Sequence, residues 1–125
     1  MALPSARGWV AVPEGTIAAV TLSFEQSFSQ LICRHGEIRR RRKKPSKKFR
    51  GDFGHTPLSN EEEIPWHCRR LVIGTGAYGR LPVMPEVQHQ AKSHRVKLLI
   101  LPTLKAIEVL EQDSDDTNAI LHVTC

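Results

Sequence analysis

The residues best placed for chemistry lie where two apolar runs break. Leu71-Val-Ile-Gly-Thr-Gly76 carries a strand-like stretch into a glycine turn, and a second stretch ends at Leu101-Pro102-Thr103. Glycine lets a ligand approach the backbone closely, and free N–H groups at a helix start attract anions. In α/β proteins, ligands settle outside the carboxyl ends of neighbouring parallel strands. We therefore take Gly74, Thr75, Gly76, Tyr78, Arg80, Thr103 and His55 as candidate ligand-binding residues, with a small anionic molecule at the Gly74–Thr103 rim. This expectation requires the two strands to be adjacent and parallel. Gly74, Gly76 and Gly79 match the spacing of a dinucleotide fingerprint. However, Leu81-Pro82-Val83 interrupts the helix that would hold the phosphates. The acid expected about 20 residues on is also missing, with Val96, Leu98 and Leu99 standing there instead. No Gly-Lys-Ser/Thr follows, so the turn is not a P-loop.

No catalytic set can be assembled. His122 lies among apolar residues, where a partly buried imidazole with its hydrogen bonds satisfied is expected. Ser59 is accounted for as a helix cap, and Cys125 has no activating base nearby. If the rim were an active site, His55 or His122 would be the proton carrier. Cys33, Cys68 and Cys125 are odd in number and far apart, which argues for a reducing, cytoplasmic setting. Neither Cys33 with His35 nor His67-Cys68 has the paired spacing of a structural zinc site, so no metal and no cofactor is expected.

The charge is local. Of the 18 basic residues, nine fall in one acid-free run: Arg39, Arg40, Arg41, Arg42, Lys43, Lys44, Lys47, Lys48 and Arg50. The remainder holds nine basic and 13 acidic residues, a balance of −4 beneath an overall +5. Such a run can contact phosphates through counterion release, which makes these nine residues candidates for nucleic-acid contact. Basic residues also protect a sheet edge, and no aromatic precedes Phe49 to stack on bases. We read residues 39–50 as a solvated edge strand and loop, with nucleic acid the less favoured partner.

The elements that must position these residues follow from apolar patterning. Residues 1–13 read as a loose segment. Strands are expected over Thr16–Phe24, Phe28–Arg34 and Glu37–Lys43, with a hairpin turn at His35-Gly36. A loop should run through Pro45-Ser46 and Gly51–Gly54. Ser59 with Glu62 spells a capping box for a helix that Pro65 cuts short. Strands Arg69–Ile73, Val96–Leu101 and Ala119–Val123 alternate with two helices. The first carries Pro85 in its opening turn and a stripe of Met84, Val87 and Ala91. The second has Thr103 as its cap and Leu104, Ile107 and Leu110 as its buried stripe, and stops before Asp113–Asp116.

The order predicts a compact α/β domain spanning residues 1–125, with a mixed central sheet flanked by helices. No apolar run nears the roughly 20 residues of a membrane span. The chain resembles the Mth938-like domain family through Gly54-His55, Leu58-Ser59, Glu62 and Leu71–Gly76. The likeness continues through Leu81-Pro82-Val83, Thr103, Ala106 and Leu121–Cys125. It covers residues 36–125 well and the first 35 weakly, and Glu111-Gln112 departs from the aromatic-Asn pair of many relatives. The resemblance implies an α/β layer fold without established enzymatic activity; some relatives are accessory factors, one of them for respiratory complex I assembly. The expected role is a non-enzymatic binding or assembly module, monomeric or weakly dimeric, acting through an unidentified protein partner or a small ligand.

Overall fold

The computed structural model describes residues 9–11, 30–34 and 36–122. Among the described residues six strands form one mixed sheet: β1 (Val10–Ala11), β2 (Gln30–Arg34), β3 (Glu37–Arg40), β4 (Arg70–Gly74), β5 (Lys97–Leu101) and β6 (Thr117–His122). Their spatial order is β1-β3-β2-β6-β4-β5. The first three strands and β6 pair antiparallel, whereas β4 runs parallel to both β5 and β6. Three helices accompany them: a single turn α1 (Arg50–Phe53), then α2 (Pro85–Ser93) and α3 (Thr103–Gln112). Among the described residues, no helix is long and apolar enough to cross a membrane.

The strands alternate, and the alternation makes two cores. Ile32, Ile120, Ile73 and Leu71 point to one face, where Val87 of α2 packs with Leu58, Leu81 and Val96. Cys33, Ala119, Val72 and Leu121 point to the other, where Ala106 and Leu110 of α3 cover them. The crossover from β4 to β5 moves one way across the sheet, and that from β5 to β6 moves back over β4. Connections of one handedness running in opposite directions put their helices on opposite faces.

Several expectations change at the ends of elements. The loose segment contains Trp9, which is buried, and Val10–Ala11, which pairs with Ile38 and Glu37. The strand expected over Thr16–Phe24 lies outside the described residues. β3 ends at Arg40, one residue before Arg41, whose N–H still bonds Gln30 O at 3.1 Å, and β1 covers Glu37–Ile38, so this stretch is not a bare sheet edge. In place of a loop after it, Lys44–Phe49 forms a 3-10 turn with Pro45 in its first positions, and α1 follows. Proline's fixed φ favours that start, and Gly54 closes α1 in the left-handed region at φ 74°.

The capping-box helix does not form. Ser59 heads a turn in which its Oγ accepts the Glu61 N–H, while the Glu62 carboxylate reaches across to Arg41 rather than back to a helix start. Thr103 is likewise not a cap. It is the first residue of α3, and its hydroxyl is committed to other partners.

Gly74 is where the start of α3 meets the sheet. A Cβ there would lie 3.0 Å from Leu121 Cδ2, 3.0 Å from Thr103 Oγ1 and 3.2 Å from Thr103 Cα. Gly51, in α1, has nothing within 4 Å. In urea denaturation, Gly74→Ala should therefore lower stability by about 1–3 kcal/mol through overpacking. Gly51→Ala should leave it unchanged or raise it by up to about 1 kcal/mol. Equal effects at the two positions would contradict this account.

Candidate anion-binding pocket

The neighbouring strands β4 and β5 are parallel, so their exits share one rim as the chemistry requires. That rim is closed by its own groups. Thr75 donates its N–H (2.8 Å) and its hydroxyl (3.1 Å) to Leu101 O. Thr103 Oγ1 accepts the Gly76 N–H at 2.7 Å and donates to His122 O at 2.5 Å. Thr103 N–H in turn donates to Gly76 O at 3.1 Å. Gly74, Thr75, Gly76 and Thr103 are buried and spend their polar groups on one another. These groups are therefore not free to cradle a ligand: Gly74 is required by helix–strand packing, and Gly76 by its positive φ.

The opening lies beside it, still at the carboxyl side of the parallel strands but shifted toward β2. A cavity of about 140 Å³ is lined by Gln30, Lys43, Arg50, His55, Thr56, Arg80, Leu81 and His122. Gln30 and His122 face each other in the β2–β6 register. His55 and Thr56 are brought in because the next residues are pinned: Leu58 N–H donates to Pro82 O and Leu58 O accepts from Met84, at 2.8 and 2.9 Å. Arg80 hangs from the tight turn after Gly76, where Gly79 N–H returns to Gly76 O and Leu81 N–H to Thr75 O. Gly76 and Gly79 both carry positive φ, which glycine adopts without strain. Tyr78 is exposed rather than lining the cavity, with the Arg80 guanidinium 5.5 Å from its ring centre.

Among the described residues no carboxylate lines this cavity, and the electrostatics of its described lining are one-sided. Burial, then the charges of Arg41, Lys47, Arg50 and Arg40, lowers the pKa of Lys43 below its ordinary value. Burial also lowers that of His122 from the usual 6.5, helped by Arg41, Lys43 and His55. The Nδ1 of His122 is buried without a partner among the described residues, contrary to the satisfied imidazole expected.

The basic run divides between inside and outside. Arg41 is 1% exposed and Glu62 2%. Arg41 Nε and Nη2 donate to the two Glu62 oxygens at 2.8 and 2.6 Å, Nη2 also to Pro57 O, and Nη1 to Gln30 Oε1. Ser46 donates to Glu62 Oε2 and bonds Ser59 Oγ. Arg39, also buried, stacks 4.5 Å from the Trp9 ring centre and pairs with Glu63 at 3.6 Å. Lys48 pairs with Glu61 at the surface. Arg40, Arg42, Lys44, Lys47 and Arg50 are exposed, and Lys43 is half-buried. Reading all nine as one solvated edge thus fails for Arg39 and Arg41.

Of the candidates, Arg80 and His55 line the pocket together with Lys43 and Arg50, which the charge run had assigned to a different role. Gln30, Thr56 and Leu81 were missed. Nothing in their types marks them, since they join the site only through strand register and the Leu58–Val83 bridge. His122 was noticeable as an imidazole in an apolar strand.

No family model and no curated protein matches the chain. Among solved structures, it is similar to the crystal structure of a conserved hypothetical protein from Pyrococcus horikoshii OT3. The two share 28% identity at a TM-score of 0.64, over 78% of this chain and 84% of that one. This likeness agrees with the compact α/β fold.

The buried ion pair should be unforgiving. Glu62→Gln leaves the Arg41 charge uncompensated and should cost about 3–5 kcal/mol. Lys48→Ala, which removes an exposed pair, should cost at most about 1 kcal/mol. Denaturant midpoints of the two variants check the contrast, and a mild Glu62→Gln would mean that the pair opens to water.

Proposed function

We propose that this chain is a non-enzymatic binding module for a small anion, held in the pocket of Lys43, Arg50, His55, Arg80 and His122. The observation that carries this reading is the convergence of five basic side chains on one cavity without a lining carboxylate among the described residues. Bringing like charges together costs free energy, and an anion relieves that cost. Gln30 and Thr56 supply neutral hydrogen-bonding groups around it. At about 140 Å³ the cavity suits a phosphate-sized or carboxylate head and is too small for a dinucleotide. Among the described residues the lining is made of cations and neutral polar groups, without a carboxylate or thiol, and such a set supports holding an anion.

Among the readings open at the level of sequence, an assembly role through a protein partner is compatible with this one, with the anion as the signal or the anchor. A nucleic-acid role loses support because two of the nine bases in the run are buried and a third is paired. Cys33 and Cys68 are free thiols, and burial pushes Cys33 up to about 12; unpaired thiols suit the cytoplasmic setting proposed.

Titration calorimetry with inorganic phosphate should show one site, and Arg80→Gln or Lys43→Gln should weaken it about tenfold or more, the effect of losing a charged hydrogen bond. No heat of binding, or affinity untouched by both variants, would end the proposal.

Protonation gives a second check. A carbon-bound proton of His122, followed by NMR, should titrate with a midpoint below 6.5. Phosphate should raise that midpoint, because an anion favours imidazolium. For folding the sign runs the other way. His122 takes up its proton more readily unfolded than folded, so its contribution is present above about pH 6.5 and declines as pH falls toward the folded midpoint.

A further inference from the structure

The cavity can take a charged head, but not the rest of an organic anion, so whatever the head is attached to must lie across the mouth. Two exposed aromatic side chains flank the segments that deliver the pocket's cations. Tyr78 is 78% exposed and Phe53 39%, the two most exposed aromatic rings among the described residues. Tyr78 stands two residues before Arg80, whose guanidinium bridges from the cavity lining to the Tyr78 ring. Phe53 stands three residues after Arg50 on α1, the spacing that puts two side chains on the same helix face, and two residues before His55. The tyrosine turn is tied to the sheet at both ends: Thr75 N–H donates to Leu101 O, and Leu81 N–H to Thr75 O. A ring this exposed buries little area in folding. It does offer a ligand a flat surface.

We infer that the ligand is a monophosphate ester of an aromatic or heteroaromatic group, its phosphate in the cavity and its ring at the mouth against Tyr78 and Phe53. The inference rests on the anion reading and adds the identity of the ligand's body. A terminal phosphate is specified because the cavity takes a single head: an internal phosphodiester would have to enter and leave through the same mouth. Arg80 joins the two halves, binding the phosphate while its planar group remains in contact with the Tyr78 ring. Aromatic rings stack in offset or edge-to-face arrangements, so a planar ligand gains there what an aliphatic one does not.

The test compares inorganic phosphate, glycerol phosphate and phenyl phosphate by titration calorimetry on the full chain, with and without Tyr78→Ala. Because Tyr78 is largely in solvent, the variant should keep its fold, which a thermal melt verifies. Phenyl phosphate should bind about tenfold more tightly than glycerol phosphate. Tyr78→Ala should erase most of that preference while leaving inorganic phosphate binding unchanged, and NMR shifts of the Tyr78 and Phe53 rings should follow phenyl phosphate alone. Equal affinity for the two esters, with phosphate still bound, overturns the inference and leaves the anion site standing. Loss of all three ligands overturns both. Tighter binding of a mixed oligonucleotide without terminal phosphate, with steep salt dependence, overturns the monoester in favour of a nucleic-acid surface.

Discussion

The Arg41–Glu62 pair is the interaction on which the rest of the arrangement hangs. Two opposite charges, both nearly free of solvent, lie 2.6 Å apart between the end of the β2–β3 hairpin and the turn after Ser59. Taking such a pair out of water is expensive, and the attraction repays it only when the remaining donors and lone pairs are also satisfied. Here they are. Arg41 spends its guanidinium on Glu62, Pro57 and Gln30, and Glu62 receives Ser46, itself bonded to Ser59. The network ties β2, the 3-10 turn, the Pro57–Glu62 segment and, through Gln30, the strand partner of His122 into one assembly. Chain that would otherwise be plain surface loop is thereby held against the sheet.

The pocket is a by-product of that tie. With Arg41 drawn inward, the 3-10 turn and α1 fold back over the carboxyl end of β6 and bring Lys43, Arg50 and His55 toward Gln30 and His122. From the other side, the Gly76–Gly79 turn contributes Arg80. The same closure that fills the Gly74–Thr103 rim displaces the open space by a strand, from β4–β5 to the neighbourhood of β6 and β2. The general rule for α/β sheets thus names the correct end of the sheet. Side-chain packing decides which strand exits stay open.

The basic run shows how one composition can serve two physical ends. Its exposed members keep the surface positive and solvated, whereas Arg39 and Arg41 are structural. Arg39 and Arg34 lie 4.5 and 3.7 Å from the Trp9 ring centre, so a tryptophan near the start of the chain is held by guanidinium contacts. Arginine suits this better than lysine, because its planar, weakly hydrated head both stacks and donates in several directions.

Much of the second half was legible in the residues themselves. Apolar runs ending at a glycine, at a proline and after the acidic turn marked β4, β5 and β6, and helical spacing with Pro85 marked α2. Their alternation implied an α/β domain on a mixed central sheet. Local patterning also suggested a helix at Ser59, a cap at Thr103 and a ligand cradle at Gly74–Gly76. Each failed for one reason: a side-chain oxygen or a missing Cβ serves whichever partner tertiary packing brings nearest, and that partner lies far along the chain, 19 residues away for Thr103 and His122 and 21 for Glu62 and Arg41. Glu62 finds Arg41, Thr103 finds Gly76 and His122, and Gly74 finds the start of α3. The order and type of β4, α2, β5, α3 and β6 were determined by the sequence alone, since hydrophobic period and turn chemistry are local. Which polar groups are used up and which remain around an open cavity was decided only in three dimensions, because hydrogen-bond satisfaction is a property of neighbours in space.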